Sequence, residues 1–253
     1  MKGALVTGAG VRIGRALAMA LAADGFFVFV HHRDSAVGAR ETVAAIRAAG
    51  GKAMAVKADL ASARQTEALT GKCRAPGVTL TCLVNNASLF KLDRAPTATA
   101  ADFDLHMAIN LRAPLLLSQA LARQLPAGET GLIVNVLDQK LFNLNPDFLT
   151  YTLSKVGLQG LTTLLAQSFA PRLRVAGIAP GLTLRSGSQT DARFAEQHAA
   201  NPLGVGVTTE DLVRALRFIV ATPSYTGDTL IVDGGEHLTG RPRDIAFDQK
   251  KKK

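Results

Sequence analysis

Short β-type runs alternate with longer helical patterns from one end of the chain to the other, and that alternation leaves few folds open. Strands separated by helices cannot pair as tight hairpins. Each connection must cross over the sheet, which sets the strands in parallel and covers both faces with helices. The apolar runs at residues 3–6, 26–30, 53–56, 81–84, 132–136, 174–177 and 229–232 read as seven strands. The expected fold class is α/β, a single doubly wound domain over residues 1–240 with a seven-stranded parallel sheet, followed by a basic tail at 241–253 that is expected to be disordered.

Between the first two strands, residues 11–23 place Ile13, Leu17, Ala20 and Leu21 on one helical face, and Gly25 supplies a left-handed stop. Ser35 is positioned to cap a second helix that closes at Gly50 and Gly51. The pattern over 101–125 contains Pro114, which predicts a local irregularity rather than a straight helix. His106, with Phe103 and Met107 beside it, reads as helix packing or interface. Residues 181–207 lack periodicity, and their length and place after the sixth strand suit a loop that covers a substrate.

Composition excludes several partners. The chain of 253 residues is 47% hydrophobic and 19% charged, which argues against disorder. Its formal charge of +9 first suggests nucleic acid or an anionic surface, but four of those charges are the lysines at 250–253. That run reads as a solvated tail or an expression remnant. The other cations form no basic stripe with interleaved aromatics, so no nucleic-acid partner is expected. Cys73 and Cys82 lack metal-ligand spacing, which indicates neither a disulfide framework nor a metal site. The apolar stretch of the first ten residues is too short for a signal peptide and no segment is suited to a bilayer, so no membrane partner and a cytoplasmic location are expected.

The first βα turn reads Thr7-Gly8-Ala9-Gly10-Val11-Arg12-Ile13-Gly14, directly after a strand and directly before a helix. A diphosphate needs free N–H groups at a helix N-terminus and a backbone without obstructing Cβ atoms, the Rossmann-like arrangement. Where a fold holding NAD offers a carboxylate to the ribose, the second strand here ends in His31-His32-Arg33. Arg33 can pair with a 2′-phosphate and His32 can donate to it. NADPH is therefore the expected cofactor.

Further along come Asn85-Asn86-Ala87, Asn110, Asp138, and Tyr151 four residues before Lys155. In this order, with the glycine turn before them and Val232-Asp233-Gly234-Gly235 after, they resemble the short-chain dehydrogenase/reductase family over nearly the whole chain. The i, i+4 spacing puts Tyr151 and Lys155 on one helix face, where an ammonium near the phenol would lower its pKa. The resemblance implies that Tyr151 acts as acid or base, that Lys155 holds the nicotinamide ribose, and that Asn110 organises a water linked to the lysine. It implies further cofactor contacts at Gly8, Arg12, Ile13, Asn86 and Ala87, at Asp59 and Leu60 beside the adenine, and at Pro180, Gly181 and Thr183. Family members commonly form homotetramers or homodimers, which is the expected assembly.

One position departs from the family pattern. Asp138 stands where most members carry a serine that donates to a substrate carbonyl. An ionised carboxylate only accepts, and would repel a developing oxyanion. It suits a substrate with N–H donors, or a C=N bond that needs a relayed proton. The change resembles the pteridine reductases and the related dihydromonapterin and dihydrofolate reductases. In that subgroup Phe90 would stack on the pterin, Ser88 would lie beside it, and Arg12 would touch both cofactor phosphate and pterin edge. Two alternatives stand beside this reading: an NADPH-dependent carbonyl reductase, such as a 3-oxoacyl-carrier-protein reductase, and a non-catalytic NADP(H)-sensing protein. The segment Gly240-Arg241-Pro242-Arg243 is expected to reach a neighbouring subunit's site.

Overall fold

The computed structural model describes residues 1–185 and 189–247. In chain order it comprises β1 (Lys2–Val6), α1 (Arg12–Ala23), β2 (Phe27–His32), α2 (Ala36–Ala48), β3 (Lys52–Lys57), α3 (Ala63–Lys72), β4 (Thr79–Asn85), α4 (Ala100–Met107), α5 (Ala113–Gln124), β5 (Gly131–Val136), α6 (Leu149–Phe169), β6 (Leu173–Pro180), α7 (Asp191–His198), α8 (Thr209–Ala221) and β7 (Thr229–Val232). The seven strands form one sheet in the order β3-β2-β1-β4-β5-β6-β7, and every pairing is parallel. The expected α/β, doubly wound fold is thus present. The strand order reverses between β1 and β4, and the crevice at their carboxyl ends is where such sheets bind ligands.

Alternation along the central strands divides the core in two. Ala4 and Val6 of β1, with Val28 and Val30 of β2, pack under Leu17, Leu21, Ile46 and Leu216 on one face. Leu5, Phe29, Leu83 and Ile133 face the other way, under Leu69, Leu117 and Leu165. The period of two in a strand sends successive side chains to opposite faces, so apolar residues are required at every position of these strands. Cys73 and Cys82 are free and buried, and burial pushes both thiols up to about 12.

The irregularity expected near Pro114 is a π-helical turn at Ala108–Arg112 between α4 and α5. Pro114 has no N–H to return to the carbonyl four residues earlier, that of Asn110, so the regular ladder cannot continue there. Ser35 lies at the N-cap of α2 but makes no side-chain capping bond. Residues 181–207 are not wholly irregular, because Thr190 caps α7 within them by accepting from Arg193 N–H. The charged, short α7 buries little and leaves no strong apolar stripe to read.

The basic tail needs a larger correction. Residues 241–247 pack onto their own domain, while 248–253, with the lysine run, lie outside the described residues. Arg243 forms a two-point bond to the buried carboxylate of Asp147, at 2.7 and 2.8 Å, and Arg94 donates to the same group at 2.7 Å. Both guanidiniums also lie over the ring of Phe247, 5.1 Å (Arg94) and 5.4 Å (Arg243) from its centre. Within this one chain the end of the described residues closes on Asp147, a buried charge that, among the described residues, Arg94 and Arg243 neutralise. Among the described residues no helix is long and apolar enough to cross a membrane.

Candidate active site

A cleft of about 1100 Å³ runs along the carboxyl ends of the strands. One end is built by the glycine turn after β1. Gly8 adopts φ +63°, and a Cβ on Gly14 would stand 2.3 Å from the Gly8 carbonyl oxygen and 2.5 Å from Asn86 Nδ2. Only glycine fits such an approach, which lets helix α1 begin against the turn. Thr7 Oγ1 accepts from the N–H groups of Asn86 and Ala87, each at 2.9 Å, and Asn86 Nδ2 donates to Thr7 O at 2.8 Å. These bonds lock the turn to the end of β4.

A residue without an expected role completes this lock. His31 Nδ1 accepts from Gly8 N–H at 3.1 Å, and Nε2 faces Ala58 O at 3.2 Å. Burial drives its pKa down to about 4, so it stays neutral with one nitrogen accepting and the other donating. The dipeptide His31-His32 carried the signal, but only the pairing of β2 with its neighbours shows which histidine turns inward.

Farther along this end lie His32, Arg33, Asp59, Leu60 and Ile13. Arg33 is over half exposed, bonded to Asp34 at 2.6 Å, and therefore available to an incoming phosphate. His32 Nδ1 is buried without a hydrogen-bond partner among the described residues. Asp59 accepts from Ala61 N–H at 3.0 Å, which fixes the turn after β3. The glycine cradle and the cationic end of β2 fit a phosphorylated dinucleotide. Arg12 has φ 56° and donates to Arg185 O at 2.6 Å and Leu184 O at 3.3 Å, tying the glycine turn to the segment after β6.

At the centre, Tyr151 Oη donates to Asp138 Oδ2 at 2.6 Å. Asp138 Oδ1 accepts from Lys140 N–H at 2.8 Å, so the 3-10 turn Gln139–Phe142 holds the carboxylate in place. Burial raises the Asp138 pKa, against the lowering effect of the Tyr151 bond. Lys155, one helical turn after Tyr151, donates to Val136 O at 2.7 Å, and burial pushes its pKa down to about 8.

The expected lowering of the tyrosine is not found. Burial, followed by the charge and hydrogen bond of Asp138, raises the Tyr151 pKa well above its ordinary value. A carboxylate bonded to the hydroxyl outweighs an ammonium whose nitrogen lies 5.8 Å from the ring centre. The phenol is a proton donor here.

Asn110, expected to organise a water linked to Lys155, is buried in the π-helical turn between α4 and α5. Its Nδ2 donates to Leu89 O at 3.0 Å and Ser154 Oγ at 2.9 Å, and its Oδ1 accepts from Leu89 N–H at 2.8 Å. These bonds tie the loop after β4 to helix α6. The start of that helix is held from outside: Asp93 Oδ1 accepts from Thr150 N–H at 3.1 Å, Asp93 Oδ2 accepts from the Thr150 hydroxyl, and His106 Nδ1 lies 2.8 Å from the same hydroxyl. His106 is thus packing, as expected.

Phe90, 48% exposed, stacks on Phe148 at 4.2 Å and meets Tyr151 edge-on at 4.7 Å. Ser88 is exposed nearby in the sequence, and Pro180, Gly181 and Thr183 also line the cleft. Sequence reasoning missed the closing parts. Lys140, itself buried, pairs with Asp244 at 3.0 Å and donates to Asn145 Oδ1 at 2.6 Å, so residues 244–247 form part of the cleft.

The short chain dehydrogenase family model matches residues 2–197. FolM alternative dihydrofolate reductase 1 from Brucella suis, solved in complex with NADP, superposes with a TM-score of 0.90 at 38% identity, over 94% of this chain and 95% of that one. An uncharacterised oxidoreductase of Methylorubrum extorquens is 33% identical over 242 residues, covering 92% of this chain and 97% of the relative. A 3-oxoacyl-[acyl-carrier-protein] reductase of Synechocystis is 31% identical over 241 residues, covering 92% and 95%. With its parallel sheet, glycine turn and Tyr151–Lys155 pair, the chain belongs to the short-chain dehydrogenase family.

Proposed function

We propose that this chain is an NADPH-dependent reductase of a C=N bond in a pterin or dihydrofolate-like substrate. The observation that carries the reading is the carboxylate of Asp138 on the Tyr151 hydroxyl, 2.6 Å away. A carbonyl substrate developing an oxyanion would have to take the phenol's hydrogen bond from a competing anion and sit beside it. A C=N bond asks for something else: a proton at nitrogen as hydride reaches carbon. Tyr151 and Asp138 hold such a proton between them. Lys155, cationic below about pH 8, offsets the second negative charge that builds up on that pair as the phenol proton leaves for the substrate nitrogen.

The bound cofactor supplies the hydride. Its diphosphate would rest on the turn from Gly8 to Gly14, its 2′-phosphate against Arg33 and His32, and its adenine near Asp59 and Leu60. The complex of the Brucella suis relative with NADP supports this choice. On the substrate side, the exposed ring of Phe90 offers a planar stacking surface, worth roughly 0.5–1.5 kcal/mol beyond area burial to a heterocycle. Ser88 and Arg12 line the same cleft, and this reading gives them the edge of the heterocycle.

The similarity to a 3-oxoacyl-carrier-protein reductase makes carbonyl reduction the competing reading. Purified protein is expected to oxidise NADPH with 7,8-dihydrobiopterin, dihydromonapterin or dihydrofolate. Turnover of a 3-oxoacyl thioester with none of these three substrates consumed would overturn the proposal.

A further inference from the structure

The cleft contains a second buried carboxylate that the proton-transfer pair does not use. Glu236 is 5% exposed and lines the cleft. It begins the 3-10 turn Glu236–Thr239 after β7, while Asp138 precedes the 3-10 turn after β5, and those two turns pack against each other. Between the two strands in the sheet lies β6, whose end carries Gly181. The Glu236 carboxylate lies close to that glycine: a Cβ there would stand 3.1 Å from Oε2.

Among the described residues, one protein donor reaches this carboxylate, Leu182 N–H at 3.4 Å, near the limit of a hydrogen bond. A buried carboxylate ordinarily recruits more, and the cleft that Glu236 lines leaves room for a ligand to supply them. The charged groups that act on it are Asp138 and Asp233, which oppose its ionisation, and Arg241, which favours it. Burial is the largest influence and raises its pKa to about 7. A ligand presenting adjacent N–H donors would supply the missing hydrogen bonds and draw the group into its ionised form.

We propose that Glu236 is a specificity-determining residue that accepts hydrogen bonds from the amino-substituted, amidine-like edge of the substrate. This assignment rests on the pterin reading above and deepens it, since a pterin carries an exocyclic amine beside ring nitrogen. Asp138 then serves proton delivery, and Glu236 serves recognition. The signal in the sequence was the pair Gly234-Gly235 directly before it, both with positive φ, which turns the chain back toward the cleft.

Glu236→Gln separates recognition from structure, because the glutamine oxygen still accepts from Leu182 N–H. With 6-methyl-7,8-dihydropterin as the probe, the variant is expected to raise KM at least tenfold, leave kcat within about threefold, and leave the Kd for NADPH, read by fluorescence titration, unchanged. With the analogue carrying oxygen in place of the exocyclic amine, wild type and variant should have the same KM. Equal KM values for wild type and variant on the pterin itself, or an equal rise on both substrates, would overturn the assignment of Glu236. A wild-type protein inactive on the pterin would instead overturn the pterin reading, so the two failures are distinguishable.

Discussion

The Tyr151 hydroxyl and the Asp138 carboxylate share a hydrogen bond of 2.6 Å in a buried setting, and this relationship inverts the proton chemistry expected of the tyrosine. A phenol beside an ammonium would give up its proton readily. A phenol bonded to a carboxylate keeps it until a basic nitrogen in the substrate takes it. Asp138→Ser should therefore lower kcat/KM for dihydropterin by roughly 100-fold, the scale of one general acid–base contribution, while the Kd for NADPH stays constant. Loss of both would mean that Asp138 holds the fold through its bond to Lys140 N–H.

Lys155 gives two pH-dependent outcomes. Activity should fall as pH rises through about 8, where the ammonium is lost. For stability the sign is opposite. The folded state binds fewer protons than the unfolded chain between about 8 and 10.5, so stability rises with pH across that window. Lys155→Met should inactivate the enzyme yet stabilise the cofactor-free protein at pH 7, by roughly 2–3 kcal/mol, with the gain shrinking above pH 8. Denaturant titrations at pH 7 and 10 test this; an equal gain at both would exclude burial of the ammonium as its source.

His31 makes the cofactor end acid-sensitive. Its pKa is about 4 folded against 6.5 in the unfolded chain, so the native state binds fewer protons between those values. Stability should drop as pH falls from 6.5 to 4, by about 3 kcal/mol from this group. Replacement by Gln should flatten that part of the stability profile. Replacement by Ala leaves the Gly8 N–H and Ala58 carbonyl without their partner, at about 1–3 kcal/mol, and should weaken NADPH binding as well.

Arg33→Ala should raise the KM for NADPH at least tenfold and leave the KM for NADH nearly unchanged, since only the former carries the 2′-phosphate. Steady-state kinetics with both nucleotides decide it. Equal effects would return Arg33 to the role of a solvated loop charge.

Deletion from Arg241 onward removes Arg243 from Asp147 and Asp244 from Lys140, leaving a buried carboxylate with Arg94 alone and a buried ammonium without its counter-ion. A loss of about 2 kcal/mol is expected, less than for a fully buried pair because Arg243 is 44% exposed. The KM for pterin should rise. Because this closure lies within one chain, the wild-type KM should not depend on protein concentration. A KM that rises on dilution would indicate closure by a partner.

The reach of the sequence follows from how local each requirement is. The strands, the glycine turn and the Tyr151–Lys155 spacing were legible because periodicity, backbone approach and i, i+4 geometry are written in neighbouring residues. The irregularity at Ala108–Arg112 was legible for the same reason, since Pro114 withholds its N–H wherever it stands. What joins distant segments was not. His31 meets Gly8 and Ala58 only when β2 lies between β1 and β3, and Asp147 meets Arg243 only when the chain's end returns across the cleft. The direction of the Tyr151 shift likewise depended on tertiary structure. An ammonium and a carboxylate were both nearby in sequence terms, and only their positions in a buried, low-dielectric site decided which one the phenol would answer.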